Sequence, residues 1–141
     1  MSNTEEIGYY LESCGKYIED EEGSHIMQEL MNLHPYASLD YTYDDIGTAT
    51  LIRDLFENSI RYCPQYGNWY IWDGCRWEQQ KETGLVSDKI QTVLNLLLFY
   101  CKEIEHSKGE ESVKDYRKYC NSIRKNTAIK NITELLKTMT R

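Results

Sequence analysis

The sequence predicts a mainly helical α+β fold, a helical bundle with one small antiparallel β-hairpin or sheet around residues 60–79. Apolar residues recur at helical spacing through most of the chain, which indicates amphipathic helices. Only residues 60–79 combine β-branched and aromatic residues with turn signals, as strands do. With 40% hydrophobic and 28% charged residues in 141 positions, the composition is that of a soluble domain with one core.

The first 44 residues predict an acidic, helical N-terminal extension. Thr4 is placed to cap a first helix, and Gly23 is expected to end it. A second short helix is expected to begin at Ser24 and to stop at Pro35, because proline cannot continue a helix. The tyrosine- and aspartate-rich residues 36–47 predict an irregular connector, with an exposed tyrosine interface as one interpretation.

Residues 45–141 predict a second, compact unit with four more helices. Thr48 is expected to cap the first of these. A core helix of about five turns is expected from Ser87, since its apolar stripe is the widest in the chain. Ser112 and Asp115 resemble a capping box at the start of the next helix. The last helix is expected from about Thr127.

One hairpin motif lies between residues 69 and 77. Its residues are Trp69, Asp73, Gly74, Arg76 and Trp77. Asp73-Gly74 favours a two-residue type I′ turn, which would pair Trp72 with Cys75. Tryptophans in so small a hairpin are expected to anchor it to the helical core, and stacking on nucleic-acid bases is the alternative. Of the three, we expect Trp69 to be the most exposed, with Arg76 over its ring.

Charge is divided between an acidic head and a basic tail. Residues 1–57 hold thirteen acids and two bases, whereas the residues from 117 onward hold seven bases and one acid. A basic surface attracts phosphates. The residues expected to contact DNA are Lys114, Arg117, Lys118, Arg124, Lys125 and Lys130. A solvated face, or a surface that meets a neighbour's acidic head, is the alternative.

The acidic head provides candidate residues for contact with a protein partner. They are Glu19, Asp20, Glu21, Glu22, Asp44 and Asp45. The alternatives are a solvated loop for the four residues 19–22, and helix capping or turns for the two aspartates. A metal site that includes Asp40 is a third interpretation, but we expect no metal.

Several function classes are disfavoured by missing motifs. The sequence has no GxxxxGK[ST], HExxH or GxSxG pattern and no CxxC pair, so no catalytic residues and no cofactor are expected. The longest apolar run, Leu96 to Tyr100, is too short to cross a bilayer. Because no secretory signal is visible, the sequence predicts a cytoplasmic chain with reduced cysteines.

Three segments together resemble a known family. They are Gly47-Thr48-Ala49, then Arg61-Tyr62-Cys63-Pro64, and then Trp69 followed by Asp73-Gly74-Cys75-Arg76-Trp77. This pattern resembles the N-terminal helicase-associated domain of phage, plasmid and poxvirus primase-helicases, over roughly residues 45–140. Thr48 stands where the family usually has asparagine.

The resemblance implies a non-catalytic module beside a hexameric superfamily 3 ATPase. It implies contact with that helicase domain or a neighbouring subunit, participation in an oligomer, and engagement of single- or double-stranded DNA. Neither a primase nor the ATPase lies within the 141 residues, so we expect either a piece of a longer replication protein or a module that a mobile element encodes alone. The alternative hypothesis is a stand-alone phage or mobile-element protein whose acidic face inhibits a host or rival factor.

Overall fold

The computed structural model describes residues 21–80 and 84–140, and this part of the chain contains five helices and a three-stranded antiparallel sheet. The helices are α1 (Glu21–Leu33), α2 (Asp45–Leu55), α3 (Gly84–Lys108), α4 (Lys114–Ser122) and α5 (Asn126–Met139). The strands are β1 (Ile60–Cys63), β2 (Asn68–Trp72) and β3 (Trp77–Gln80), in the order β1-β2-β3. The predicted fold class is confirmed.

The long helix α3 forms the centre of the core. Its apolar stripe is buried along most of its 25 residues, from Val86 to Ile104. The same buried cluster includes residues of α1 and α2, such as Leu30 and Ile52. The helix begins three residues before the expected Ser87 and continues to Lys108, so it has about seven turns where about five were predicted.

Helix α1 corrects the prediction that Gly23 separates two helices. Gly23 and Ser24 both lie inside the helix, and Gly23 is buried. A helical glycine costs about 1 kcal/mol relative to alanine, and the burial of Ile26 and Leu30 on the same helix offsets that cost. The helix ends at Leu33, as the position of Pro35 predicted. The first predicted helix, capped by Thr4, lies outside the described residues.

Helix α2 is capped by Asp44 and not, as predicted, by Thr48. The Asp44 carboxylate accepts a hydrogen bond from the Gly47 amide at 2.8 Å and another from the Thr42 hydroxyl at 2.6 Å. These bonds lower the pKa of Asp44, the Thr42 bond most. Thr48 lies one turn inside, fully buried, and its hydroxyl donates to the Asp44 carbonyl at 2.7 Å.

The capping box expected at Ser112 is also absent. Val113 occupies the N-cap position of α4, and no side chain caps that helix. The Ser112 carbonyl instead accepts a hydrogen bond from the Tyr36 hydroxyl at 3.0 Å. The segment before α4 is therefore held by a distant tyrosine, which local sequence does not reveal.

The β2–β3 hairpin has a four-residue loop where a two-residue turn was predicted. Trp72 pairs with Trp77, and Tyr70 pairs with Gln79, so the register is shifted by two residues from the expected one. Because the shift is even, Trp72 and Trp77 still share one face of the sheet and Trp69 lies on the other. The sheet is joined to α5 where the Tyr62 amide donates to the Thr140 carbonyl at 3.0 Å.

The connector between α1 and α2 is held against α3 and α4 by tyrosines. The Tyr36 amide donates to the Tyr100 hydroxyl at 3.1 Å, and the Tyr43 hydroxyl donates to the Tyr36 carbonyl at 2.9 Å. The ring of Tyr43 stacks on Tyr119 with centroids 5.3 Å apart and meets the buried Tyr116 edge-on at 4.9 Å. An exposed tyrosine interface was one interpretation of this connector; its tyrosines make internal contacts, and Tyr43 also keeps 44% of its surface exposed.

Candidate nucleic-acid interface

Five of the six predicted DNA-binding residues are exposed along α4, α5 and the turn between them. They are Lys114 and Lys118 on α4, Arg124 and Lys125 in the turn, and Lys130 on α5. None of them forms an ion pair with another described residue. Asp115 is the one carboxylate in the sequence between residues 112 and 130, so this surface is strongly basic.

The orientation of α4 follows from its buried side. Val113, Tyr116, Cys120 and Ile123 are all 2% exposed or less, as the helical spacing predicted. Lys114 and Lys118 consequently point to solvent. Thr48 reinforces this orientation, because its hydroxyl shares a short hydrogen bond with the hydroxyl of Tyr119, and burial raises the pKa of Tyr119.

Arg117 differs from the other five bases. Its guanidinium donates to the Glu105 carboxylate at 3.1 Å and to the Glu110 carbonyl at 3.3 Å. Its side chain is only 35% exposed. Arg117 therefore ties α4 to the end of α3, and its charge is largely matched by carboxylates. Its predicted phosphate contact has less support than the other five.

The turn between α4 and α5 brings two bases to a helix N-terminus. Lys125 occupies the N-cap position of α5, with an extended backbone and no side-chain cap. The first amides of a helix lack intrahelical partners and carry a partial positive charge. Arg124 and Asn126 also line a shallow cavity of about 230 Å³ against α3. Cationic side chains and a helix N-terminus thus converge at one place.

The hairpin motif has a structural explanation. The Asp73 carboxylate accepts hydrogen bonds from the amides of Cys75 and Arg76, at 2.8 and 2.9 Å. These hydrogen bonds lower the pKa of Asp73, and the bond from the Arg76 amide has the largest effect. Gly74 has φ +104°, which favours glycine. Asp73 and Gly74 therefore fix the loop that sets Trp77 opposite Trp72.

The three tryptophans have environments opposite to those expected. Trp69 is 1% exposed and packs edge-on against Tyr62, with centroids 5.0 Å apart. Trp72 and Trp77 are 38% and 41% exposed. The prediction that Trp69 is the most exposed is therefore wrong, because the face of the sheet that carries Trp69 is the one that joins the core. The anchoring role expected of all three holds for Trp69 alone.

The cation–π contact at the hairpin involves residues other than those predicted. Arg61, not Arg76, lies over an aromatic ring, with its guanidinium carbon 5.8 Å from the centroid of Trp77. Arg76 is in the loop, where it forms long ion pairs with Asp73 at 3.9 Å and Glu78 at 3.7 Å. The two-residue shift in register moves Arg76 out of the strand and away from Trp69.

The acidic candidates are dispersed. Glu19 and Asp20 lie outside the described residues, whereas the backbone of Glu21 and Glu22 begins α1. Asp44 caps α2, and the Asp45 carboxylate accepts a hydrogen bond from Asn131 at 3.2 Å. Asp44 thus has the capping role that was the alternative to partner contact, whereas the bond of Asp45 links α2 to α5.

Among residues 21–80 and 84–140, no three metal-ligating side chains come together. No helix in this part of the chain is both long and apolar enough to span a membrane.

Comparisons with known proteins identify a family. No curated protein and no solved structure matches the chain. A family model described as D5 N terminal like matches residues 49–141, close to the range over which the three sequence motifs suggested the resemblance. Because this match covers more than half of the sequence, the chain belongs to the D5 N-terminal-like family, the N-terminal module of D5-type primase-helicases.

Proposed function

We propose that the chain is a non-catalytic accessory module of a phage or mobile-element primase-helicase, which binds DNA without sequence preference and contacts its helicase domain or a neighbouring subunit. Modules of this family typically precede a helicase domain. No catalytic family is detected in the 141 residues. The proposal therefore assigns the chain a binding role within a replication protein.

The exposed basic surface on α4, α5 and their turn is the observation that supports DNA binding. Lys114, Lys118, Arg124, Lys125 and Lys130 are exposed and form no ion pair within the described residues. Lysine and arginine neutralise phosphates whatever the base sequence and release counterions as they do so. The N-terminus of α5 adds backbone amides that suit a phosphate at the same place.

The salt dependence of binding provides a quantitative test. If all five bases contact duplex phosphates, the slope of log K against log salt is about −4.5. Raising the salt concentration from about 50 to about 200 mM then lowers the affinity roughly 500-fold. We expect this from fluorescence-anisotropy titration of a labelled duplex. An affinity that does not change with salt would contradict phosphate contact.

A charge-matched pair of variants locates the contact. Lys118→Glu with Lys125→Glu should weaken binding strongly and make the salt slope shallower by about 2, since each lost phosphate contact removes about one unit. Lys102→Glu with Lys108→Glu changes the net charge equally on exposed positions of α3. Equal losses in the two variants would indicate a general charge effect and would contradict the assigned surface.

For protein contact we propose the acidic residues of the N-terminal third of the chain, including Glu21, Glu22 and Asp45. Opposite charges on partner surfaces steer association and fix orientation. Asp44 is the weakest of these candidates because its carboxylate already caps α2. Asp45→Lys should slow association with the cognate helicase domain in a stopped-flow measurement. An unchanged association rate at low salt would exclude Asp45 from the interface.

A further inference from the structure

The three-stranded sheet has one face that joins the core and one outer face that carries exposed aromatic rings. Cross-strand pairs place Ile60 with Ile71 and Tyr62 with Trp69 on the inner face. The outer face is defined by the alternate positions of the same strands. It includes Arg61, Asn68, Tyr70, Trp72, Trp77 and Gln79.

Two tryptophans on the outer face form a pair that is fixed before any ligand binds. The rings of Trp72 and Trp77 meet with centroids 5.5 Å apart and an angle of 61° between their planes. The loop that joins them is closed by the hydrogen bonds of Asp73 and by the Asp73 amide, which donates to the Arg76 carbonyl at 3.1 Å. Each of the two residues keeps more than a third of its surface exposed.

Arg61 gives this face a positive charge. Its guanidinium lies over the Trp77 ring and donates to the carbonyls of Ile60, at 2.7 Å, and Glu57. These acceptors are neutral, and Arg61 forms no ion pair with a described carboxylate. The strand positions of the outer face hold one cation and no carboxylate, so the face suits an anionic ligand with flat rings.

We propose that this outer face binds the unpaired bases of a single-stranded nucleic acid, with bases stacked on Trp72 and Trp77 and a phosphate near Arg61. Aromatic side chains on a positively charged surface bind single strands in this way, whereas a duplex hides the faces of its bases. The proposal rests on the proposed DNA binding and adds a preference for single strands to it.

Nearby carboxylates limit where the strand can lie. Trp72 borders a cavity of about 580 Å³ that is lined by three carboxylates, Glu29, Asp54 and Glu57, together with one lysine, Lys89, so negative charge prevails there. We therefore expect the phosphates of the strand to lie outside this cavity.

Helix α5 connects the platform with the basic surface. Its N-terminus carries the bases of the turn, and Thr140 at its other end is bonded to β1. Fourteen residues of helix span about 20 Å, a distance within the reach of the roughly 4–16 nucleotides that a single-strand binding fold covers. One strand can therefore contact both surfaces.

The test uses the full chain and a fluorescently labelled oligodeoxythymidine of about 15 nucleotides, whose anisotropy measures the affinity of wild type and variants alike. We expect binding to quench the fluorescence of the exposed tryptophans, and an abasic strand of the same length to bind more weakly. Trp72→Leu with Trp77→Leu should lower single-strand affinity by roughly 5- to 150-fold per ring and leave duplex affinity unchanged. The loss should persist at about 200 mM salt, because stacking is not ionic.

Two controls protect the test against misfolding. Trp69 remains in the double variant, and its emission from the core reports whether the fold is intact. Trp72→Phe with Trp77→Phe keeps two rings and should retain affinity within a few-fold. Equal losses for single strand and duplex, or no loss from the leucine variant, would overturn the platform.

The outcomes also separate this proposal from the DNA binding on which it rests. If Lys118→Glu with Lys125→Glu has no effect but the leucine variant loses single-strand binding, the basic surface is wrong and the platform stands. The reverse result supports the basic surface and refutes the platform. If the wild-type chain binds neither probe at low salt, both are refuted.

Discussion

The Gly47→Ala substitution sets two opposing effects against each other in the first turn of α2. Alanine is the better helix former, by about 1 kcal/mol, so local propensity alone predicts stabilisation. A methyl group at Gly47, however, would collide with the backbone of Thr42, whose carbonyl oxygen, carbonyl carbon and amide nitrogen all lie too close to the Cβ position. These are main-chain atoms and cannot rotate away.

The collision should dominate the free energy of unfolding. Overpacking of this kind typically costs 1–3 kcal/mol, and a main-chain neighbour belongs to the upper end of that range. Subtracting the gain in propensity leaves a net destabilisation of about 2 kcal/mol. For a chain of this length, that corresponds to a Tm lower by roughly 6–8 °C.

Gly84→Ala is the matched control, because it is the same substitution at the start of α3. Apart from its chain neighbours and the backbone of its own helix, no described residue has a heavy atom within 4 Å of the Cβ position at Gly84, so the favourable propensity dominates. Urea unfolding followed by circular dichroism should give a midpoint about 1 M lower for Gly47→Ala, with m near 2 kcal/mol/M. The Gly84→Ala midpoint should be unchanged or higher. Equal midpoints for the two variants would refute the reasoning.

Three further predictions follow from single contacts. Asp44→Ala should cost about 1 kcal/mol of stability at pH 7 through loss of the α2 cap. Because the folded-state pKa of Asp44 is lowered, this contribution to stability is present above the unfolded-state pKa of the carboxyl group. It is lost as the pH falls through the folded-state pKa. Urea unfolding should therefore show the stability difference between the variant and wild type shrinking below about pH 4. Tyr119→Phe should lower the free energy of unfolding by about 1 kcal/mol, because the hydrogen bond to Thr48 is lost. Tyr116→Phe should be neutral or stabilising, because the Tyr116 hydroxyl is buried without a partner among the described residues. Equal effects of the two substitutions in thermal unfolding would contradict this. Of the four described cysteines Cys75 alone is exposed, so a thiol reagent should label it before the other three under native conditions. Faster labelling of Cys101 or Cys120 would argue against the fold.

Those features that depend on residues close together in the chain could be predicted from the sequence. Periodicity placed the apolar stripes of α3 and α4 correctly, because a residue at position i+3 or i+4 lies on the same side of a helix whatever surrounds it. Alternation along the strand likewise placed Trp69 on one face of the sheet and Trp72 and Trp77 on the other. Which of those two faces is buried depends on the packing of α5 against β1, and that contact is invisible in the hairpin itself.

The turn shows a second limit of local reasoning. Asp73-Gly74 fits a two-residue type I′ turn as well as it fits the observed loop. The loop is selected because the Asp73 carboxylate accepts hydrogen bonds from two following amides, a contact that the dipeptide preference does not include. Similarly, the charge of Arg117 was counted with the basic surface, but its partner Glu105 lies twelve positions away across a helix junction.

The residues of the three sequence motifs and the residues of the basic surface are different, which separates two kinds of experiment. The motif residues serve the fold: Gly47 allows a close main-chain approach, Trp69 is a buried anchor, and Asp73-Gly74 fixes a loop. The basic surface contributes little to the core, since its side chains point to solvent. Loss of DNA binding in a Gly47 variant would therefore report unfolding. Loss of binding in a Lys118 and Lys125 variant that unfolds at the wild-type midpoint would report a lost contact.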